Sequence, residues 1–239
     1  MKDVSIIICA FNEEKNIADV VKACCSCNPM ADVLVVDDGS TDRTAEVLEG
    51  LRKKYKFRSE HLPENKGKSC AMVHGVEHCD RELILFFDAD VSNITRQHFK
   101  SLLDPLRKGR ADMVLGQPRD TMIDYRINPF KSLTGERVMY RKDILPILED
   151  IREIRFGVET FINLYFQAEG KRIHYVLLDG LSHPNTFEKV SPIKATRKYI
   201  SEGQEIARTY INNYDLIVRS VENSINRVGK RTRNRISQL

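Results

Sequence analysis

At 239 residues the chain is long enough for one large α/β domain, or for one domain with an appendage. Its 41% apolar and 30% charged residues are those of a soluble globular protein, and no apolar run of about 18 residues offers a transmembrane helix. A formal charge of +4 is too mild to call for nucleic acid, so no nucleic-acid partner is expected. The opening MKDVSIIICAFNEE reads as a strand followed by acids, with no small-residue cleavage site, so a signal peptide is not expected. Cys9, Cys24, Cys25, Cys27, Cys70 and Cys79 fall mostly in apolar patterns, which fits reduced, buried thiols and a cytoplasmic location. Cys24-Cys25-Ser26-Cys27 lacks a second Cys/His pair at zinc-finger spacing and reads as packing.

Val4 to Cys9 is a first buried strand. Phe11-Asn12-Glu13-Glu14 turns into a helix with Ile17, Val20, Val21 and Cys24 on one face, and Asn28-Pro29 stops it. Val33 to Val36 is a second strand, ending in Asp37-Asp38-Gly39-Ser40. Ser40 or Thr41 can cap the next helix, whose apolar stripe is Ala45, Leu48 and Leu51. A short strand near Phe57 to Leu62 leads through Pro63-Glu64-Asn65-Lys66-Gly67-Lys68 into a small helix carrying Ala71, Val73 and Val76.

Leu83 to Phe87 is a continuous apolar run, as in a strand buried on both faces of a parallel sheet. It ends in Asp88-Ala89-Asp90. In an extended chain these carboxylates share one side, at the strand end where open α/β sheets bind ligands. Neighbouring carboxylates repel unless a cation joins them, and Mg²⁺ takes one or two carboxylates together with phosphate oxygens and water. The pattern therefore suggests a divalent cation held for a phosphorylated ligand; the alternative is a solvated turn.

A helix from about Thr95 to Leu106 follows, then a strand from Asp112 to Leu115. The β-α alternation predicts an α/β fold, a mostly parallel Rossmann-like sheet with helices on both faces. Asp120 to Ser132 is a polar loop long enough to be functional. Gly157-Val158-Glu159-Thr160 opens a helix that Gly170 closes, and Arg172 to Leu178 is a further strand before Asp179-Gly180-Leu181-Ser182-His183. From about Ile193 the chain reads as helical. Ile206, Tyr210, Tyr214, Ile217, Val221, Ile225 and Val228 form one apolar seam, with Arg227, Lys230, Arg231, Arg233 and Arg235 at its end. This amphipathic helix can pack on the domain, pair with a second copy in a homodimer, or lie peripherally on an anionic membrane surface.

The segments SIIICAFNEEKNI, VLVVDDGSTDRT, ENKGKSCAMVHG and LILFFDADVS, in this order, resemble the nucleotide-sugar-binding half of a family 2 glycosyltransferase with the GT-A fold. Within that family the chain is similar to polyprenyl- and dolichyl-phosphate sugar synthases, and its GER and GVET segments resemble glucosyl-3-phosphoglycerate synthases. The resemblance implies a GT-A domain over 1–190, with a nucleotide-sugar-binding half (1–120) and an acceptor half (121–190), before a helical tail (191–239). It implies that Ala10, Phe11, Asn12 and Glu13 line the nucleoside, with Asp37 nearby. Asp38 resembles the carboxylate that accepts from the base, which uracil and guanine both satisfy. Gly67 lets the backbone approach the ligand, and Lys68, with Lys66 as a second candidate, can neutralise diphosphate. Asp88 resembles the residue facing the ribose and metal, Ala89 would join the nucleotide-sugar contacts, and Asp90 resembles the direct metal ligand. Ser92 stands where some relatives carry a third ligand, and His183 resembles the metal histidine of some GT-A enzymes. Either reading of His183, ligand or structural, is open at this point.

The implied donor is a UDP- or GDP-linked sugar and the implied cofactor Mg²⁺ or Mn²⁺, which stabilises charge growing on the diphosphate. Glu159 is the candidate base for a hydroxyl acceptor; the alternative is a helix-start acid favoured by the dipole. A phosphate acceptor needs cations instead of a base, and Arg119, Arg126, Arg137, Arg141 and Lys142 are the candidates. A lipid phosphate such as polyprenyl phosphate is the preferred acceptor, with phosphoglycerate or a saccharide hydroxyl as the soluble alternatives. A nucleotidyltransferase would carry a Gly-rich loop where Ala10-Phe11-Asn12-Glu13 stands, and no G-x-G-x-x-G marks a dinucleotide enzyme. A non-catalytic scaffold is disfavoured because both Asp88 and Asp90 are present.

Overall fold

In chain order the elements are β1 (Val4–Ala10), α1 (Ile17–Cys27), β2 (Asp32–Asp37), α2 (Thr44–Arg52), β3 (Arg58–His61), α3 (Lys68–Glu77), β4 (Leu83–Asp88), α4 (Arg96–Arg107), β5 (Met113–Pro118), β6 (Arg137–Tyr140), α5 (Arg141–Ile144), α6 (Leu148–Arg152), α7 (Val158–Ala168) and β7 (Ile173–Leu178). The structure is a computed structural model and describes residues 3–118, 134–154, 157–182 and, apart from 210 and 224, 207–225.

The strands make one sheet in the order β3-β2-β1-β4-β6-β5-β7. β3, β2, β1 and β4 run parallel, as do β5 and β7; β6 alone is antiparallel to its neighbours β4 and β5. The expected mostly parallel sheet is therefore present, with one reversed strand that the sequence pattern does not reveal. β6 spans four residues, too few for its apolar run to announce a strand.

Alternation along each strand sorts side chains onto two faces. Ile6 and Ile8 of β1 and Leu85 and Phe87 of β4 pack with Val20, Leu48, Phe99 and Leu102 from α1, α2 and α4. Ile7, Ile84 and Phe86 point the other way, against Val73 and Val76 of α3 and Phe161 and Ile162 of α7. Fully burying such a side chain is worth about 1.5–3 kcal/mol, so the double coverage is what holds the sheet. The same parity puts Asp88 on the face shared by α3 and α7.

Two local expectations are corrected. Thr44, not Ala45, is the buried residue opening the α2 stripe. Neither Ser40 nor Thr41 caps that helix. Asp42 accepts from the Thr44 amide (2.9 Å), while the Ser40 hydroxyl takes the Asn12 amide (2.9 Å).

Helical residues within 207–225 dock along α7. Leu216 is buried, Arg219 pairs with Glu169, and Asn223 donates to the Ala168 carbonyl (2.6 Å). Tyr214, Val221 and Ile225 of the expected seam are exposed, joined by Ile211 and Val218, while Ile217 of that seam packs on the core beside Leu216, so the docked face shares only Ile217 with the expected one among the described residues. No described helix is long and apolar enough to cross a membrane.

Candidate active site

From β1 the sheet grows towards β2 on one side and β4 on the other, so a crevice opens at their carboxyl ends. Ala10 and Asp88 flank it, and Cys9 is the register partner of Asp88. Burial pushes the Cys9 thiol up to about 12, so it stays protonated near neutral pH.

One side of the crevice is built from interlocked loops. Asn12 sits in left-handed conformation (φ 55°), and its side-chain oxygen accepts the amides of Thr41 (2.8 Å) and Asp42 (3.3 Å). The Glu13 amide donates to Thr44 Oγ1 (2.9 Å), and Phe11 is exposed. Asp37 is buried, accepts from the Ser40 amide (3.1 Å) and pairs with His61 Nδ1 (2.8 Å). Asp38 is also buried, and its two oxygens accept the amides of Lys66 (3.0 Å) and Gly67 (2.8 Å). These two bonds hold the loop that leads into α3. Gly67 has φ 95°, a conformation that a side chain would strain, and Lys68 follows as the first residue of α3.

The other side gathers charge. The Lys68 ammonium lies 2.6 Å from Asp88 Oδ1 and 2.8 Å from Glu159 Oε1. Asp88 arrives from the end of β4 and Glu159 from the first turn of α7. Burial would lower the Lys68 pKa, but the two carboxylates more than offset it and hold the ammonium well above its ordinary range. Burial would likewise raise the Glu159 carboxyl, but Lys68 and Arg137 more than offset it and hold it below its ordinary value. Beneath them lies Arg137, fully buried on β6. Its guanidinium donates to the carbonyls of Thr134 (2.6 Å) and Glu159 (3.3 Å) and to Asn163 Oδ1 (3.3 Å). Burial pulls the Arg137 pKa down, an effect that Glu159 and Asp88 partly counter. Gly135 closes over Asp88 so tightly that an added Cβ would overlap the carboxylate.

Asp90 needs a different account from the one the strand pattern gives. β4 ends at Asp88, and Ala89-Asp90 is a turn, so strand alternation does not aim Asp90. The turn is tied down just beyond, where Ser92 exchanges backbone hydrogen bonds with Ser182 (2.9 and 3.3 Å). Ser182 is the residue before His183, which lies outside the described residues. The acceptor-side cations are also revised. Arg137 is internal and unavailable to a ligand. Arg141 and Lys142 follow the reversed β6 and sit by Glu82, where β4 begins, at the opposite end of the sheet from Asp88. Arg119 and Arg126 lie outside the described residues.

Sequence reasoning misses Gly135 and Arg137 as supports of the two carboxylates. Their only sequence signal is the GER segment, whose glycine lies against Asp88 and whose arginine holds the Glu159 carbonyl.

Comparisons with known proteins accord with this fold. Poly-beta-1,6-N-acetyl-D-glucosamine synthase of Staphylococcus epidermidis is 26% identical over 120 residues, 50% of this chain and 29% of that protein. Undecaprenyl-phosphate 4-deoxy-4-formamido-L-arabinose transferase of Edwardsiella ictaluri is 32% identical over 96 residues, 38% of this chain and 30% of that protein. The chain thus spans about 30% of the length of these curated relatives. In fold it is similar to Mycobacterium tuberculosis glucosyl-3-phosphoglycerate synthase in complex with Mn²⁺, UDP and phosphoglyceric acid. There the TM-score is 0.69 at 19% identity, covering 91% of this chain and 78% of that one. S. aureus TarS 1-349 is a further fold neighbour, with TM-score 0.59 at 18% identity, covering 72% and 57%. The family model described as "Glycosyl transferase family 2" matches residues 5–166, from the first strand through the helix that carries Glu159, and the chain belongs to that family.

Proposed function

We propose that the protein transfers a sugar from a UDP- or GDP-linked donor to a phosphorylated acceptor, of which polyprenyl phosphate is the preferred form. The observation that carries this reading is Lys68 held between Asp88 and Glu159 at the β1–β4 crevice. A lysine there meets the diphosphate leaving group, and its high pKa keeps it charged as negative charge builds. The loops at Ala10–Glu13 and Asp37–Asp38 would take the nucleoside, and the Gly67 backbone would approach the phosphates.

Asp88 and Asp90 offer oxygen donors suited to a hard divalent cation, Mg²⁺ or Mn²⁺. The Lys68 ammonium already standing against Asp88 supports the fit, since that carboxylate faces a position a cation can occupy. Such an ion supplies Lewis-acid stabilisation of the departing diphosphate. His183 is a candidate further ligand. The names of the relatives, an undecaprenyl-phosphate transferase and a synthase crystallised with Mn²⁺, UDP and phosphoglyceric acid, support both cation and phosphorylated acceptor.

Glu159 bears on the acceptor class. Its lowered pKa keeps it ionised but makes it a weak base while Lys68 holds it. A phosphate oxygen is already ionised near neutral pH and needs no strong base. A hydroxyl acceptor would require Lys68 to move onto the diphosphate first. The exposed seam of Ile211, Tyr214, Val218, Val221 and Ile225, next to the basic terminus, suits a peripheral membrane contact where a lipid acceptor resides, or a second copy of the chain.

The test is to incubate purified protein with UDP- and GDP-sugars and Mg²⁺ or Mn²⁺, offering polyprenyl phosphate, phosphoglycerate and a neutral saccharide. Transfer to a phosphorylated acceptor is the expected result. Transfer to the neutral saccharide alone would overturn the acceptor assignment. Diphosphate release from a nucleoside triphosphate would replace glycosyl transfer with nucleotidyl transfer.

A further inference from the structure

At the far end of α3 from Lys68 lies a second group of ligating side chains that the reaction does not use. Glu60 on the edge strand β3, His74 on α3 and His78 just after it each bring one ligand atom to within 4.8 Å of the others. The histidines are four residues apart on a helix, so they share a face, and their rings stack at 4.1 Å. His78 Nδ1 lies 2.8 Å from the His74 carbonyl. A carbonyl only accepts, so Nδ1 carries the proton and Nε2 is the nitrogen left with a lone pair for an ion. Metal-bound histidines are oriented by this kind of bond through their second nitrogen. His74 Nε2 is hydrogen-bonded to Glu60 Oε2, pairing an imidazole with a carboxylate at the same point.

We propose that Glu60, His74 and His78 form a site for a borderline divalent ion such as Zn²⁺, Co²⁺ or Ni²⁺, distinct from the cation position at Asp88. Two imidazoles and one carboxylate make a three-ligand set with room for water in the fourth place. Ligand bonds of about 2.0–2.2 Å set tetrahedral ligand atoms about 3.4 Å apart, so the stacked rings turn about their side-chain bonds to bring both lone pairs onto one ion. The ion takes the place of the His74–Glu60 hydrogen bond, with the neutral His74 ring carrying its proton on Nδ1 and offering the Nε2 lone pair. Mg²⁺, which demands oxygen donors, is excluded by the imidazoles.

The position has a mechanical consequence. Glu60 and His74 lie on either side of the Leu62–Gly67 loop, whose amides at Lys66 and Gly67 are held by Asp38. An ion bonded to both closes that loop as a clip and ties the sheet edge to α3. The inference concerns ion binding and loop order, and it does not depend on the sugar-transfer reading.

The experiment titrates Co²⁺ into the full chain in excess Mg²⁺, following visible absorption and heat, with hydrogen exchange at 62–67 measured with and without Zn²⁺. One tight Co²⁺ equivalent is expected, without a thiolate charge-transfer band, and with slowed exchange in the loop. His78→Ala changes an exposed side chain and should leave Mg²⁺-supported activity unchanged. Losing one of three ligands should weaken Co²⁺ binding by at least about 10–100-fold, the loss seen for outer-shell partners alone. His78→Ala should also abolish the Zn²⁺-dependent protection. Wild-type affinity in His78→Ala, a thiolate band, or loop exchange indifferent to Zn²⁺ would each overturn the proposal.

Discussion

The two walls of the β1–β4 crevice are built on different principles. On the side of the loops after β1 and β2, nearly every contact is a backbone amide meeting a fixed acceptor, as at Asn12, Ser40, Thr44 and Asp38. On the side of α3, β6 and α7, the contacts are between charges: Lys68, Asp88, Glu159 and buried Arg137. The first wall has a shape that no ligand needs to create. The second has charges that compensate one another and could be redistributed onto the diphosphate of the proposed donor. A glycosyltransferase needs both, a rigid seat for the part that does not react and a polarisable one for the bond that breaks.

The comparison is broken most severely by removing the ammonium. Lys68→Ala leaves Asp88 and Glu159 facing each other with no cation between them. Turnover should fall by about 10²–10³-fold, as on losing one electrostatic stabiliser of a transition state. Nucleotide-sugar titrations should show weaker donor binding as well, while circular dichroism stays that of the wild type. A turnover near wild type would mean the charged wall is structural.

Gly135→Ala acts on the same wall without changing any charge. The new methyl would overlap an Asp88 oxygen, so the carboxylate must swing away from Lys68. Overpacking of this kind costs about 1–3 kcal/mol, read as a lower urea midpoint, and cation-dependent nucleotide binding should weaken with it. Asn12→Ala tests the other wall. It removes the acceptor for two loop amides and places alanine at φ 55°, a combined cost of about 1–2 kcal/mol. The donor KM should rise while kcat changes little, because this wall positions and does not react. A fall in kcat alone would erase the distinction between the walls.

How much of this is legible in the sequence follows the same division. Asp88 stands out because an acid closing a doubly buried strand must meet a cation or a ligand to offset its desolvation. Gly67 and Lys68 are legible through the resemblance, carried by a short contiguous segment. Arg137 reads as a surface cation for the acceptor, because arginine is rarely buried and a four-residue strand shows no period. Its burial comes from β6 inserting between β4 and β5, a non-local event. Asp90 would share a side with Asp88 only if the strand ran two residues further than it does. The docked face of the 207–225 helix is only partly legible for a related reason: Ile217 of the expected seam packs, but Leu216 beside it carries the burial, and which apolar residues turn inward is left to the surface they meet. Glu60, His74 and His78 escape a sequence reading because the carboxylate comes from an edge strand and the histidines from the helix after it.

The smallest expected effect concerns how Lys68 and Glu159 divide their charge with pH. The ordinary value for Glu159 is 4.5, and its value in the folded protein lies lower. A depressed carboxyl stabilises the fold fully above the unfolded value, and that contribution fades as pH falls through the folded value. Lys68, raised above 10.5, keeps its charge throughout the neutral range. The stability gap between wild type and Glu159→Gln should therefore be level from about pH 6 to 9 and narrow on acidification below 4.5. Urea midpoints across that range measure it. A gap that moves in favour of the wild type on acidification would mean burial outweighs the Lys68 contact and the carboxyl is raised. In that case Glu159 would be a protonated acid near the donor, and the charged wall would have to be rebuilt around Lys68 and Asp88 alone.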